Sequence, residues 1–206
     1  MPANPIWVGL DTPDPGHAEA LARAVAPHVG GLKLGLEFFM ANGPEGVRRI
    51  GRLGLPIFLD VKLHDIPNTV AGALRSLGGL DLAIVNVHAG GGLAMLATAR
   101  EACPEATKLV AVTVLTSLDE ADLSSMGVFG NPADQVQRLA GLAREAGLDG
   151  VVCSAHEVAL LKAQWPRGLF VVPGLRPAGA ATGDQKRVMT PAAALAAGAG
   201  ALVIGR

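Results

Sequence analysis

Short apolar runs alternate with amphipathic stretches along the whole chain, and most of the runs close on a polar residue or a glycine. The first apolar run, Ile6 to Leu10, ends at Asp11, and the stretch from Pro15 to Val29 places Ala18, Leu21, Ala22 and Val25 at helical spacing. A second run, Gly31 to Gly35, holds Lys33 within GLKLG and leads into a helical stretch through Phe38, Phe39, Val47 and Ile50. Pro56 to Lys62 reads as the third strand, followed by a helix from Pro67 to Gly78 with Val70, Ala73, Leu74 and Leu77 on one face. The fourth strand is predicted from Leu82 to His88, with a helix from Leu93 to Cys103, and the fifth from Lys108 to Leu115. The fifth is nearly all apolar, as a strand covered on both faces should be. A polar connection, Thr116 to Gly130, separates it from a helix over Pro132 to Gly147. Strand six (Leu148 to Ser154) with its helix (His156 to Gln164), strand seven (Gly168 to Pro173), a helix over Pro191 to Ala197 and strand eight (Ala201 to Ile204) complete the pattern.

Eight strands separated by seven helices give the cadence of an α/β fold of the (β/α)8 TIM-barrel type, in one domain over residues 1–206. No composition shift marks a second domain, and no eighth helix follows the last strand, an ending that bears on barrel closure.

Composition narrows the function. Half of the residues are hydrophobic but only 3% aromatic, and 27 glycines with abundant alanine favour close packing of helices on a sheet. A net charge of −1 argues against nucleic-acid binding, which needs a basic surface, so an anionic ligand has to be caught locally. The two cysteines, Cys103 and Cys153, have no CxxC context and read as buried free thiols of a cytoplasmic protein. The N-terminus lacks the pattern of a signal peptide, and no stretch reads as a membrane span.

The candidate chemistry centres on FLDVKLHDIPNT, Phe58 to Thr69. Strand alternation sends Asp60 and Lys62 to the same face, and a strand buries such charges only when they are paired or used. Asp65 follows just past the strand end, where it can lean back over the mouth from which Lys62 emerges. Carboxylates around an ammonium favour its charged form, which suits proton donation better than Schiff-base formation. Active sites of parallel barrels lie at the C-terminal strand ends. There the chain carries Asp11, Lys33, Asp60, Lys62, His88, Thr116, Ser117 and Arg206. Gly205 and Arg206 after strand eight, with Arg176 and Gln185 from the loop after strand seven, form a candidate phosphate grip. His88 at the end of strand four suits catalysis, while the glycines behind it suit loop anchoring equally. His17, His28, His64 and His156 have no metal-ligand spacing, and neither a P-loop nor GxGxxG is present.

DVKLHDIPNT, together with GLD, GLKLG, VTVLTS, PGLRP, GDQKRV and the terminal IGR, resembles the orotidine 5′-phosphate decarboxylase family, in its bacterial short-chain group. The resemblance runs from Asp11 to Arg206 with the segments in the expected order. It implies a homodimer of barrels with a shared active site that converts orotidine 5′-monophosphate to UMP and CO2 in pyrimidine synthesis, with neither metal nor organic cofactor. It further implies that Lys62 donates the proton to C6 and that Asp60 lies against the departing carboxylate. Lys33 and Asp65, the latter from the neighbouring subunit, would complete the charged array. Asp11 and Lys33 would contact the ribose, Thr69 would reach the ligand across the dimer, and Thr116 and Ser117 would lie near the pyrimidine. Arg176, Gln185, Gly205 and Arg206 would close on the phosphate. Family members usually continue for a further helix beyond the Gly-Arg pair.

Two alternatives stand beside this reading. Related barrels such as 3-keto-gulonate 6-phosphate decarboxylase and hexulose phosphate synthase share the Asp-x-Lys-x-x-Asp strand but use Mg2+, with a glutamate ligand where this chain has Lys33. A non-catalytic phosphoribosyl-ligand binder would keep the Gly-Arg site and turn nothing over.

Overall fold

The computed structural model describes residues 4–176 and 189–205. Their eight parallel strands are β1 (Ile6–Gly9), β2 (Gly31–Gly35), β3 (Ile57–Leu63), β4 (Ile84–His88), β5 (Lys108–Val112), β6 (Gly150–Val152), β7 (Leu169–Val172) and β8 (Ala201–Ile204). They follow one another around a closed barrel. The ring closes where β1 pairs directly with β8, Ile6 opposite Leu202 and Val8 opposite Ile204.

Helices α1 (Pro15–Val25), α2 (Leu36–Gly51), α3 (Pro67–Ser76), α4 (Gly92–Ala102), α6 (Pro132–Glu145), α7 (Ala155–Gln164) and α8 (Pro191–Ala196) cover the strands in the predicted order. One further short helix, α5 (Glu120–Ser125), stands inside the polar connection between β5 and α6, where none was predicted. A reciprocal capping box starts it: the Asp119 side chain accepts from the Asp122 N–H and the Asp122 side chain from the Asp119 N–H. The predicted first helix stops at Val25 and tightens into a 3-10 turn over Ala26–His28, where Pro27 cannot donate to an α-helical ladder. Helix α2 is kinked at Gly43, whose φ of 57° no ordinary helix residue adopts, just ahead of Pro44.

The apolar pattern sorts into two cores. Outward-facing strand residues such as Leu32, Leu34, Leu59, Val85 and Val87 pack against the helices. Inside the barrel Trp7, Phe58, Ile84, Val110, Val171, Ala201 and Val203 form a separate plug. Trp7 meets Phe58 edge to face at 6.5 Å, and its indole lies so close to Gly31 that an added Cβ would sit 2.4 Å from the ring. At the N-terminal end of the barrel, Asp149 accepts from Arg100 at 2.8 Å, from Lys108 at 2.7 Å and from the Leu109 N–H at 2.9 Å. That network ties α4, β5 and β6 together at the end opposite the polar strand ends, where stability rather than chemistry is built. Cys103 and Cys153 are buried free thiols.

Candidate active site

The plug leaves the C-terminal half of the barrel open, and a cavity of about 630 Å³ occupies it, a size suited to a small-molecule ligand. Asp11, Lys33, Asp60, Lys62, Thr116, Ser117, Arg176 and Gly205 all line it. These eight residues share one cavity because each lies on a strand or in the segment that follows one: Lys33, Asp60 and Lys62 within β2 and β3, the others past the ends of β1, β5, β7 and β8.

At its centre is a chain of alternating charges. Lys33 Nζ lies 3.1 Å from Asp11 Oδ1 and 3.5 Å from Asp60 Oδ2, and Lys62 Nζ lies 2.6 Å from Asp60 Oδ1. Lys33 is only 8% exposed, so its ammonium depends on these two carboxylates for what water would otherwise supply. Burial pushes the Asp60 carboxyl up, but the charges of Lys62 and Lys33, with hydrogen bonds from Lys62 and Asn86, outweigh it and hold the group below the usual aspartate range. Asp60 is thus a carboxylate throughout the neutral range, fixed between two cations.

The sequence-based reason for pairing Asp60 with Lys62, regular alternation, is not how the structure joins them. Lys62 has a φ of 51°, the one described non-glycine residue with positive φ, and the register against β4 slips between Leu59 and Leu63. This left-handed backbone costs about 1–2 kcal/mol for a residue with a Cβ, and such strain is kept only where its surroundings enforce it.

Asp65 does not lean back over Lys62 of its own chain. Its carboxylate accepts from the Ile66 N–H at 2.7 Å, and both Asp65 and Thr69 face solvent and are not among the residues lining this cavity. Two residues of the proposed phosphate grip, Arg176 and Gly205, are at the cavity wall; Gln185 and Arg206 lie outside the described residues. Among the described residues no three His, Cys, Asp or Glu side chains cluster as a metal site.

Comparison with known proteins decides the family. The description "Orotidine 5'-phosphate decarboxylase / HUMPS family" matches residues 4–206. The orotidine 5′-phosphate decarboxylase of Novosphingobium aromaticivorans is 62% identical over 204 residues, 99% of this chain and 91% of that protein. The enzyme of the same name from Sphingopyxis alaskensis is 59% identical over 203 residues, 98% of this chain and 91% of that protein. The crystal structure of orotidine 5′-phosphate decarboxylase from Lactobacillus acidophilus superposes with a TM-score of 0.82 at 34% identity, covering 98% of this chain and 90% of its own length. The chain belongs to the orotidine 5′-phosphate decarboxylase / HUMPS family.

Within this decarboxylase family scaffold, periodicity and motif spacing pass over Asn86. It is fully buried on β4, donates to Asp60 Oδ1 at 2.7 Å and accepts from the Lys62 backbone N–H at 2.7 Å. The signal was a single amide inside the apolar strand IVNVH, two residues from Ile84, which faces the barrel interior.

His88, whose role the sequence left open, anchors the loop: its Nδ1 accepts from the Gly90 N–H at 3.1 Å and its ring stacks on His64 at 5.2 Å. Desolvation first, then the charges of His64 and Lys62, lower its pKa from the ordinary 6.5. The unfolded chain therefore binds this proton at a higher pH than the folded one. Its contribution to stability is present above about 6.5 and is lost as pH falls from there through the lowered folded value. Thermal unfolding midpoints of the wild type should accordingly drop more steeply below pH 6.5 than those of His88→Gln; parallel curves would remove His88 from the acid response.

Proposed function

We propose that this chain is an orotidine 5′-phosphate decarboxylase that forms UMP and CO2 without a metal, with Lys62 as proton donor. The observation that carries the reading is the Lys33–Asp60–Lys62 chain, 3.5 Å and 2.6 Å between charged atoms, at the wall of a cavity that Arg176 and Gly205 also line.

The chemistry asks for such an array. When the C6–carboxylate bond breaks, CO2 leaves without the electron pair, which stays on C6 as a localised carbanion. A fixed ammonium in a water-poor site stabilises that charge as it develops and needs no reorganisation to do so. Lys62 then passes a proton to C6, giving UMP, and recovers it from solvent. Asp60, held ionised by both lysines, faces the substrate carboxylate in the ground state; that repulsion ends when CO2 departs. Asp11 and Lys33 bind the ribose, Thr116 and Ser117 the pyrimidine, and Arg176, Gln185, Gly205 and Arg206 the phosphate. Binding energy from the phosphate is then available to align the base.

The reading includes a homodimer in which the partner supplies Asp65 and Thr69. Both are exposed, and large apolar side chains stand exposed at the same end of the barrel. Met40 (74%) follows β2, Ile66 (68%) follows β3 and Phe129 (80%) follows β5. Exposed apolar surface around a site mouth favours a covering partner. The chain acts as a single domain and, as an enzyme of pyrimidine synthesis, in the cytoplasm; no helix among the described residues is long and apolar enough to cross a membrane.

Incubation with orotidine 5′-monophosphate followed by chromatography should yield UMP in equimolar amount to the substrate consumed. A sugar-phosphate enzyme of the same family would leave that substrate untouched and act on a hexulose 6-phosphate in the presence of Mg2+. A phosphoribosyl-ligand binder would bind UMP and turn over neither.

A further inference from the structure

The register of β3 against β4 pairs Leu59 with Val85 and Leu63 with Val87. Residues 60, 61 and 62 thus lie against Asn86 alone, and a regular ladder of backbone hydrogen bonds cannot run through that interval. The Asn86 side chain fills the gap. Its carbonyl oxygen accepts the Lys62 N–H at 2.7 Å, and its amide nitrogen donates to Asp60 Oδ1, also at 2.7 Å. The orientation of the amide is fixed by its partners, since a backbone N–H only donates and an ionised carboxylate only accepts. Asp60 Oδ1 is also the atom that receives Lys62 Nζ. One fully buried side chain therefore grips the acid and the base of the array at once, from an otherwise apolar strand.

We infer that Asn86 is a positioning residue for decarboxylation: its amide holds Lys62 in the left-handed backbone conformation and turns the Asp60 carboxylate so that Lys62 Nζ points into the cavity. This rests on the decarboxylase reading of the site. An apolar residue at position 86 would leave the Lys62 N–H and one lone pair of Asp60 without their partner. The bulge would then have reason to relax toward a regular ladder, carrying the Lys62 side chain away from the reacting carbon. Displacement on the order of 1 Å at a reacting group can cost about a hundredfold in rate.

The test compares Asn86→Ala and Asn86→Asp with the wild type for kcat on orotidine 5′-monophosphate and for UMP dissociation, between about pH 5 and pH 8, the span over which a raised carboxyl pKa would titrate. Turnover by the wild type in the same assay establishes the underlying reading separately, so a failure of that reading and a failure of this inference look different. Asn86→Ala is expected to lose about a hundredfold in kcat while UMP binding, which rests on the ribose and phosphate contacts, stays within about threefold, a spread of under 1 kcal/mol. Asn86→Asp supplies the readout that a purely structural role would not move. As a carboxylate it cannot donate to Asp60 and repels it; once protonated, it donates through its hydroxyl and accepts from Lys62 through its carbonyl oxygen. Its kcat relative to the wild type at the same pH should therefore rise by at least about tenfold as pH falls, whereas the alanine ratio stays flat. A folded Asn86→Ala within twofold of wild-type kcat, a parallel loss of UMP binding, or a flat Asn86→Asp ratio overturns the inference. If the alanine protein does not fold, the aspartate ratio decides alone.

Discussion

Lys62→Ala should lower kcat/KM for orotidine 5′-monophosphate by at least about ten-thousand-fold, because it removes two contributions at once. Positioned proton transfer contributes about 10²–10⁴-fold and preorganised charge stabilisation about 10²–10³-fold. The substitution also changes what remains. Asp60 keeps Lys33 at 3.5 Å and Asn86 at 2.7 Å but loses the closest cation, the one at 2.6 Å. Its carboxylate then meets the substrate carboxylate with less compensation, so substrate binding suffers as well as turnover. UMP has no such carboxylate, and its dissociation constant should move far less than kcat/KM. Steady-state kinetics and UMP titration of the same preparation check both parts; residual activity within tenfold of the wild type would exclude Lys62 as proton donor.

The second large effect is a recovery. Asp65→Ala and Lys62→Ala proteins should each be nearly inactive, and mixing them in equal amounts should restore about a quarter of wild-type activity. In a two-fold dimer with reciprocal contacts, random exchange makes half of the dimers mixed, and each mixed dimer has one site with both residues and one with neither. The motive lies in the geometry of one chain. Asp65 is directed at its own Ile66 N–H at 2.7 Å, and Ile66, next in sequence, is 68% exposed. Mixing followed by a mass measurement that verifies subunit exchange makes the result readable. No recovery after exchange would mean that each barrel carries a self-contained site and that Asp65 acts, if at all, within its own chain.

The barrel was legible because its pattern is redundant: most strands are short apolar runs closed by glycine or a polar residue, and most helices show an apolar face. The site was legible for the same reason, since Asp11, Lys33, Asp60 and Lys62 stand out against aliphatic neighbours at strand ends. Features that depend on departures from a repeat were not. A two-residue period places Asp60 and Lys62 together but carries no signal for the φ of 51° at Lys62 or for the slipped register opposite Asn86. Asn86 itself is one amide in an apolar strand, and its meaning comes only from β3 lying beside it. The orientation of Asp65 is set by the turn into α3, a local hydrogen bond that residue spacing does not encode. Helix α5 was within reach, because Asp119 and Asp122 have the spacing of a capping box, but its single buried side chain, Leu123, gives no periodic face to detect.

The chemistry proposed for this chain is decarboxylation of orotidine 5′-monophosphate through Lys62 without a metal. Its most direct test is the ultraviolet absorbance of that substrate mixed with the protein in EDTA, beside Lys62→Ala at the same concentration. Rapid conversion to the UMP spectrum is expected from the wild type, unchanged by the chelator, and none on that timescale from the variant. An unchanged substrate spectrum, turnover that requires added Mg2+, or equal conversion by Lys62→Ala would contradict it.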